Sequence, residues 1–255
     1  MLKTVIQAVS TYAMNVFLFP KELCAEIERI MNGTAYWWHG NDMTGRGIRW
    51  KSWQSLCKPK EKGGLGFRPL RYFNLAMLGK QAWRLITNPD SFVRKIYKAR
   101  YFPNYSFLHA DVGINSSFIW SSIVQVGDVM TKGLRRRIGN GHRVSVWREK
   151  WLPGDGDDKI ITPPPAGIAD MNVAALMTED DRTWNFDRIN NLFSVEERNV
   201  ILLIPVSRKK TSDGFLWQGD PRGIYTVKSG YRMIRGECII ICGSWSMGVI
   251  PCISI

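Results

Sequence analysis

Residues Gly45 to Gly79 read GRGIRWKSWQSLCKPKEKGGLGFRPLRYFNLAMLG, and the end of that run decides the fold. Leu70, Phe73, Met77 and Leu78 fall at the spacing that gathers apolar groups on one side of a helix. The pattern carries on to Thr87, where Asn88-Pro89 closes it. It predicts a helix over Leu70–Thr87 with Met77, Trp83 and Ile86 buried. Lys80 and Arg84, four apart, form a basic pair on the neighbouring face.

Upstream of that helix the run changes character. Arg46, Arg49 and Lys51 interleave with Ile48, Trp50 and Trp53, and then Lys58, Lys60 and Lys62 lead into Gly63-Gly64-Leu65-Gly66-Phe67-Arg68. Successive exposed N–H groups in a glycine turn form a concave anion site. Lysines beside it add charge without directional geometry, which suits phosphate rather than base recognition. The competing reading is a plain β-turn carrying solvated lysines.

The charge supports a polyanion partner. The 255 residues carry net charge +13, and Met1–Leu152 holds 24 Lys and Arg against 9 Asp and Glu, leaving 11 against 13 for the remainder. Basic charge interleaved with aromatics favours nucleic acid. An acidic membrane surface is the competitor, but no basic amphipathic helix is there to seat it. The five cysteines, Cys24, Cys57, Cys238, Cys242 and Cys252, form neither a disulfide framework nor a zinc spacing, and His39, His109 and His142 are far apart. No metal or cofactor is expected, and the thiols read as reduced and intracellular.

Outward from the centre, Leu2, Val5, Ile6, Val9, Tyr12, Ala13 and Val16 predict an amphipathic opening helix. A second helix places Leu23, Ile27, Ile30 and Met31 on one face and ends at Gly33. Ser91 caps a helix with Phe92, Val93, Ile96 and Tyr97 as its apolar side and Arg94, Lys95, Lys98 and Arg100 as its charged complement. Ser116–Lys132 reads as one helix with Phe118, Trp120, Ile123 and Val124 internal.

Asn140-Gly141 between Leu134–Ile138 and Val144–Trp147 reads as a hairpin, with Arg135 and Arg137 on one face and Arg136 on the other. A Gly/Asp/Pro linker over 154–166 marks a domain boundary. Short helices follow at Val173–Met177, Trp184–Phe193 and Val195–Leu203. A second strand-like pair, Asp213–Trp217 with Gly223–Tyr231, leads into a helix. The expected fold is mainly α with short β-hairpins (α+β): a basic helical region 1–153, the linker, a small α+β segment 167–235, and an aberrant apolar tail 236–255.

Several runs together resemble one family. They are Arg46 to Trp53 as Arg-x-Ile-x-Trp-x-x-Trp, Leu56-Cys57-x-Pro59-Lys60-Glu61-x-Gly63-Gly64-Leu65-Gly66-Phe67-Arg68, Phe73-Asn74-x-Ala76, Lys98–Pro103, and Gly139-Asn140-Gly141 followed by Trp147 to Pro153. They are similar to the region C-terminal to the polymerase domain in plant LINE-type (non-LTR) retrotransposon reverse transcriptases. The first of these runs also resemble a short plant mitochondrial open reading frame derived from such elements. The resemblance covers roughly Met1 to Arg235 and stops where the family's zinc-binding module should follow. It implies a helical thumb and connection region.

The catalytic parts implied by the family are not matched. Its two-metal chemistry uses an aromatic-x-Asp-Asp motif, whereas Asp157-Asp158 and Asp180-Asp181 follow Gly156 and Glu179. No catalysis and no small-molecule substrate are expected. The expected partner is RNA or DNA, held by its backbone on Arg46, Arg49, Lys51, Lys58, Lys60, Lys62, Arg68, Lys80, Arg84, Arg135, Arg136 and Arg137, in a nuclear or mitochondrial setting. Two other readings stand beside it: a non-functional retroelement relic, and a protein-interaction module presenting Trp37, Trp38, Trp50 and Trp53.

Overall fold

The computed structural model describes residues 11–33, 51–104, 106–153, 159–178, 183–206 and 211–236. The fold is mainly α with one two-stranded antiparallel sheet, as expected. It divides into two compact units: Met1–Lys132 with Thr226–Cys238, and Gly133–Tyr225 with Ile239–Ile255.

The first unit opens with α1 (Thr11–Met14), α2 (Lys21–Gly33) and α3 (Trp53–Leu56), then α4 (Leu70–Thr87), α5 (Phe92–Tyr101) and α6 (Phe118–Val124). α7 (Gly127–Gly133) leads out of it. The second unit holds β1 (Leu134–Arg137), α8 (Phe186–Leu192), α9 (Val195–Leu202) and β2 (Gly214–Trp217). The chain then returns to the first unit as α10 (Val227–Ile234), whose buried Ser229 and Gly230 let it lie against α4.

α4 is the axis of the first unit and has the predicted limits. Leu70, Ala76, Met77, Leu78, Ala82, Trp83, Leu85 and Ile86 are buried along it. Its first turn lacks an acidic residue, and the Glu28 side chain on α2 supplies one from outside, accepting the Leu70 N–H at 2.6 Å. A carboxylate there meets the positive end of the helix dipole. Burial pushes the Glu28 carboxyl above its ordinary value despite that hydrogen bond.

Asn74 is fully buried with its hydrogen bonds made: Oδ1 accepts from Phe19 N–H at 2.8 Å, and Nδ2 donates to the Met14 and Phe17 carbonyls at 2.8 Å each. It ties the α1–α2 connection to α4. Around it Met14, Cys24, Met31, Leu56, Cys57, Phe67, Leu70 and Met77 form one core.

α5 and α6 meet through aromatics. Trp120 is fully buried, with Tyr101 stacked on it at 4.6 Å and 4°, Phe102 at 5.5 Å and Tyr97 at 5.5 Å. Each such pair contributes about 0.5–1.5 kcal/mol beyond its area burial.

In the second unit Leu134, Arg135, Arg136 and Arg137 pair with Trp217, Leu216, Phe215 and Gly214. The main core combines Val144, Val146, Trp151 and Leu152 with Ile160, Val173, Leu176, Trp184, Ile189 and Ile201. Its tryptophans pin loops: Trp147, Trp151 and Trp184 donate their indole N–H groups to the carbonyls of Thr162, Val146 and Ile204, each at 2.9 Å.

Several expectations are corrected. The Asn140-Gly141 hairpin is absent, because β1 takes β2 as its partner, about eighty residues on. β2 in turn pairs with β1 rather than with Gly223–Tyr231, to which it is joined by the Trp217 N–H to Gly223 carbonyl bond, 2.9 Å, and by the edge-on contact of the Trp217 and Tyr225 rings. Residues on both sides of 154–166 share one core, so packing does not divide there.

Ser116–Lys132 is two helices. The chain breaks at Gln125–Val126, where Val126 turns inward to full burial ahead of the poor helix former Gly127. Phe118 is 64% exposed rather than internal. On α5 the side chains of Tyr97 and Tyr101 pack, while Phe92, Val93 and Ile96 face solvent at 76%, 55% and 48% exposure. On α2 the buried stripe is Cys24, Ile27 and Met31, with Leu23 and Ile30 outside. The predicted opening helix lies mostly outside the described residues, which begin at Thr11.

Candidate nucleic-acid interface

The lysine-glycine loop is built on the core of the first unit. Leu56, Cys57 and Phe67 are buried at its two ends, and Trp53 lies 5.1 Å from the Phe67 ring. Between them Lys58, Lys60 and Lys62 are exposed, with Lys60–Lys62 forming a single 3-10 turn.

The glycine N–H groups do not face outward. Gly63 donates to the Lys60 carbonyl at 3.0 Å, Gly64 to Pro59 at 3.1 Å, Leu65 to Leu56 at 3.0 Å and Gly66 to Lys58 at 2.8 Å. The expected amide cradle for an anion is therefore already filled by the loop's own carbonyls. Gly64 is required by close approach, since a Cβ there would sit 2.0 Å from the Lys58 oxygen. The Lys51 ammonium is also committed, donating to the Gly63 carbonyl at 2.7 Å. What remains is a stiff loop presenting lysine charges. Arg68 is exposed at its end, 5.0 Å over the Phe73 ring.

A second basic stretch lies on α4 and α5. Arg84 is exposed and donates to Gln81 Oε1 at 3.3 Å. Burial, and then the charge of Arg84, lower the Lys80 ammonium from its usual value. Arg94 reaches back to the Ile86 carbonyl at 3.1 Å, whereas Lys95, Lys98 and Arg100 on the same helix are exposed.

The second unit corrects the expected arginine arm. Arg135 is only 9% exposed. Arg136 pairs with Glu149, Nη2 to Oε1 at 2.6 Å and Nε to Oε1 at 2.9 Å, and lies 4.2 Å over the Phe215 ring. Arg137 alone of the three is exposed. Of the three arginines expected to bind, one is therefore buried and one is neutralised by its neighbour.

The loop after β1 holds a filled anion site. The Asp213 carboxylate accepts the N–H groups of Gly139 at 2.7 Å, Gly141 at 2.8 Å and Arg143 at 2.8 Å. Gly141 adopts φ 73°, and a Cβ there would meet the Ala174 nitrogen at 2.5 Å. A second carboxylate of this unit works in the same way. Glu197 forms a capping box with Ser194 and accepts the Ile161 and Thr162 N–H groups at 2.6 and 3.0 Å, with the Thr162 hydroxyl also donating to it. Burial alone would raise its pKa, but these hydrogen bonds outweigh burial and hold it below the usual carboxylate range.

Arg46, Arg49, Trp37, Trp38 and Trp50 lie outside the described residues. Trp53, expected as an exposed docking group, is half-buried against Phe67 and the first-unit core. Among the described residues no cluster of three or more His, Cys, Asp or Glu could hold a metal ion, and no helix is long and apolar enough to cross a membrane.

With the geometry set out, the relatives can be placed. The Arabidopsis thaliana protein named "Uncharacterized mitochondrial protein AtMg00310" is 40% identical over 146 residues, covering 57% of this chain and 93% of that protein. The chain belongs to the AtMg00310 family. It is also similar to a longer Arabidopsis thaliana protein named "Putative ribonuclease H protein At1g65750", 25% identical over 242 residues. That match covers 91% of this chain and 38% of the longer protein. No family model matches, and no solved structure matches.

In this member of the AtMg00310 family, the expected binding residues separate into groups. Lys58, Lys60, Lys62 and Arg68 share one loop in the first unit, and Lys80 and Arg84 share α4. Lys95, Lys98 and Arg100, the charged complement of α5, are exposed beside them. Phe92, Val93 and Ile96 are exposed as well, so apart from its tyrosines and Arg94 α5 is surface.

Proposed function

We propose that the chain derives from a plant LINE-type retroelement, corresponds to the thumb and connection region that follows the polymerase, and binds RNA or DNA without catalysing a reaction. Binding is to the phosphate backbone with little sequence preference. The observation that carries this reading is the loop Lys58–Arg68. Its backbone is satisfied internally and anchored in the core at both ends, so its three lysines are displayed at little cost in order. The ribonuclease H name of the longer relative and the mitochondrial name of the shorter one fit a retroelement origin.

The test is fluorescence anisotropy of the purified chain with an RNA hairpin and a DNA duplex, titrated across salt. The expected result is a log K that falls linearly with log salt, with a slope of several units. Absent or salt-independent binding by a folded sample overturns the reading.

A further inference from the structure

The first unit contains a cleft of about 410 Å³, within the roughly 300–1,000 Å³ range of ligand pockets. It lies among α4, α5, α6 and the turn that follows α1. Val16, Leu85, Val93, Ile119 and Ile123 supply apolar surface and Tyr97 an aromatic ring. Asn15, Gln81 and Asn88 contribute side-chain amides, and Arg84 a guanidinium. A carboxamide presents a donor and an acceptor side by side, the pattern of a base edge. Gln81 uses Oε1 to accept from Arg84, which leaves its Nε2 as a donor.

The surroundings carry matching charge. From Lys80 to Arg100 the chain has six Lys or Arg, namely Lys80, Arg84, Arg94, Lys95, Lys98 and Arg100, against Asp90 alone. Apolar walls, amides and cationic surroundings are what a flat heterocycle attached to a phosphate chain requires. A duplex keeps its bases stacked inside and has nothing to insert. An unpaired strand can splay a base outward onto an aromatic or guanidinium plane.

The geometry points to this cleft as a nucleobase pocket: it takes one unpaired base of single-stranded RNA or DNA, with Arg84 beside the adjoining phosphate. This rests on the backbone-binding reading and deepens it, because it makes the unpaired strand the preferred ligand.

The experiment compares, on the full chain at one salt concentration, three labelled probes of about twelve nucleotides. They are a single strand, the same strand with abasic sites throughout, and a duplex. The single strand is expected to bind about tenfold more tightly than the abasic strand. Val93→Trp, which fills the cleft from an exposed position, and Gln81→Leu should each bring the single strand down to the abasic level while leaving duplex binding unchanged. The comparison of base-bearing and abasic strands uses the unaltered chain, so it decides even if a variant folds poorly.

Equal binding of the two strands overturns the pocket while leaving the backbone-binding reading intact. Val93→Trp that folds without affecting the single strand also overturns it and leaves the cleft to an apolar side chain of a protein partner. Failure of all three probes to bind overturns the backbone-binding reading itself.

Discussion

Among the described residues two glycine-rich loops invite comparison, Gly63–Gly66 in the first unit and Gly139–Gly141 in the second. Both turn the backbone sharply and both gather N–H groups that must find acceptors. In the first, the acceptors are carbonyls of the same loop, from Leu56 to Lys60. In the second, the acceptor is the Asp213 carboxylate, more than seventy residues away in sequence. The first loop is thus a local device that leaves its side chains to the solvent. The second is a long-range clasp, an anion site whose anion belongs to the chain. Clustered glycines identify donors, and the function of a loop depends on which acceptor reaches them.

The clasp gives the largest expected effect. Asp213→Ala removes the acceptor of three N–H groups, two of them on buried glycines, and should cost about 2–4 kcal/mol. Urea unfolding would show a lower midpoint, and hydrogen exchange would show lost protection at Gly139 and Gly141. Unchanged protection would mean the two loops do not differ as described.

Gly64→Ala tests the local loop. Its new Cβ meets the Lys58 carbonyl, so the loop must open at a cost of about 1–3 kcal/mol. An unchanged unfolding midpoint would show that the lysines sit on a loose segment.

The two units should also answer pH in opposite directions. Glu197 is held below its unfolded value of about 4.3, so its stabilisation is full above that pH and is lost as pH falls through the folded value. Glu28 is raised by burial. Its contribution is full below the unfolded value and is lost as pH rises through the raised folded one. Glu197→Gln should therefore flatten the acid limb of a stability profile, and Glu28→Gln the limb above it. A profile that either variant leaves unaltered removes that carboxylate from the comparison.

Binding supplies the smallest effects. Replacing Lys58, Lys60 and Lys62 by Ala should lower the salt slope by about 3, and Arg137→Ala by about 1. Arg136→Ala should leave the slope unchanged, because Glu149 already neutralises that side chain. A drop with Arg136→Ala equal to that with Arg137→Ala would return Arg136 to the binding face.

The sequence made α4 readable because its apolar period, its Asn88-Pro89 stop and the Ser91 cap that follows agree with one another. The β1 partner was not readable. Asn140-Gly141 is a strong local turn signal, while the true pairing of Leu134 with Trp217 has no local signature. On α5 either Phe92 and Ile96 or Tyr97 and Tyr101 satisfy a helical period, and Trp120 settles the choice by stacking. Alternation put Arg135 and Arg137 together, yet the strand buries one and exposes the other. The lysines of the candidate interface were legible as charges. The cleft was not, because its walls come from three helices and the turn after α1, far apart in sequence.

The return of α10 to the first unit has a consequence for synthesis. A ribosome releases Gly133–Tyr225 as one uninterrupted run, so β1 and β2 can pair while the first unit still lacks a helix of its own. Domains usually fold from the N-terminus onward. Here that order is interrupted: the first unit is not closed until Val227–Ile234 has emerged to cover α4. A translation product that stops before Thr226 would leave α4 without the helix that packs on it.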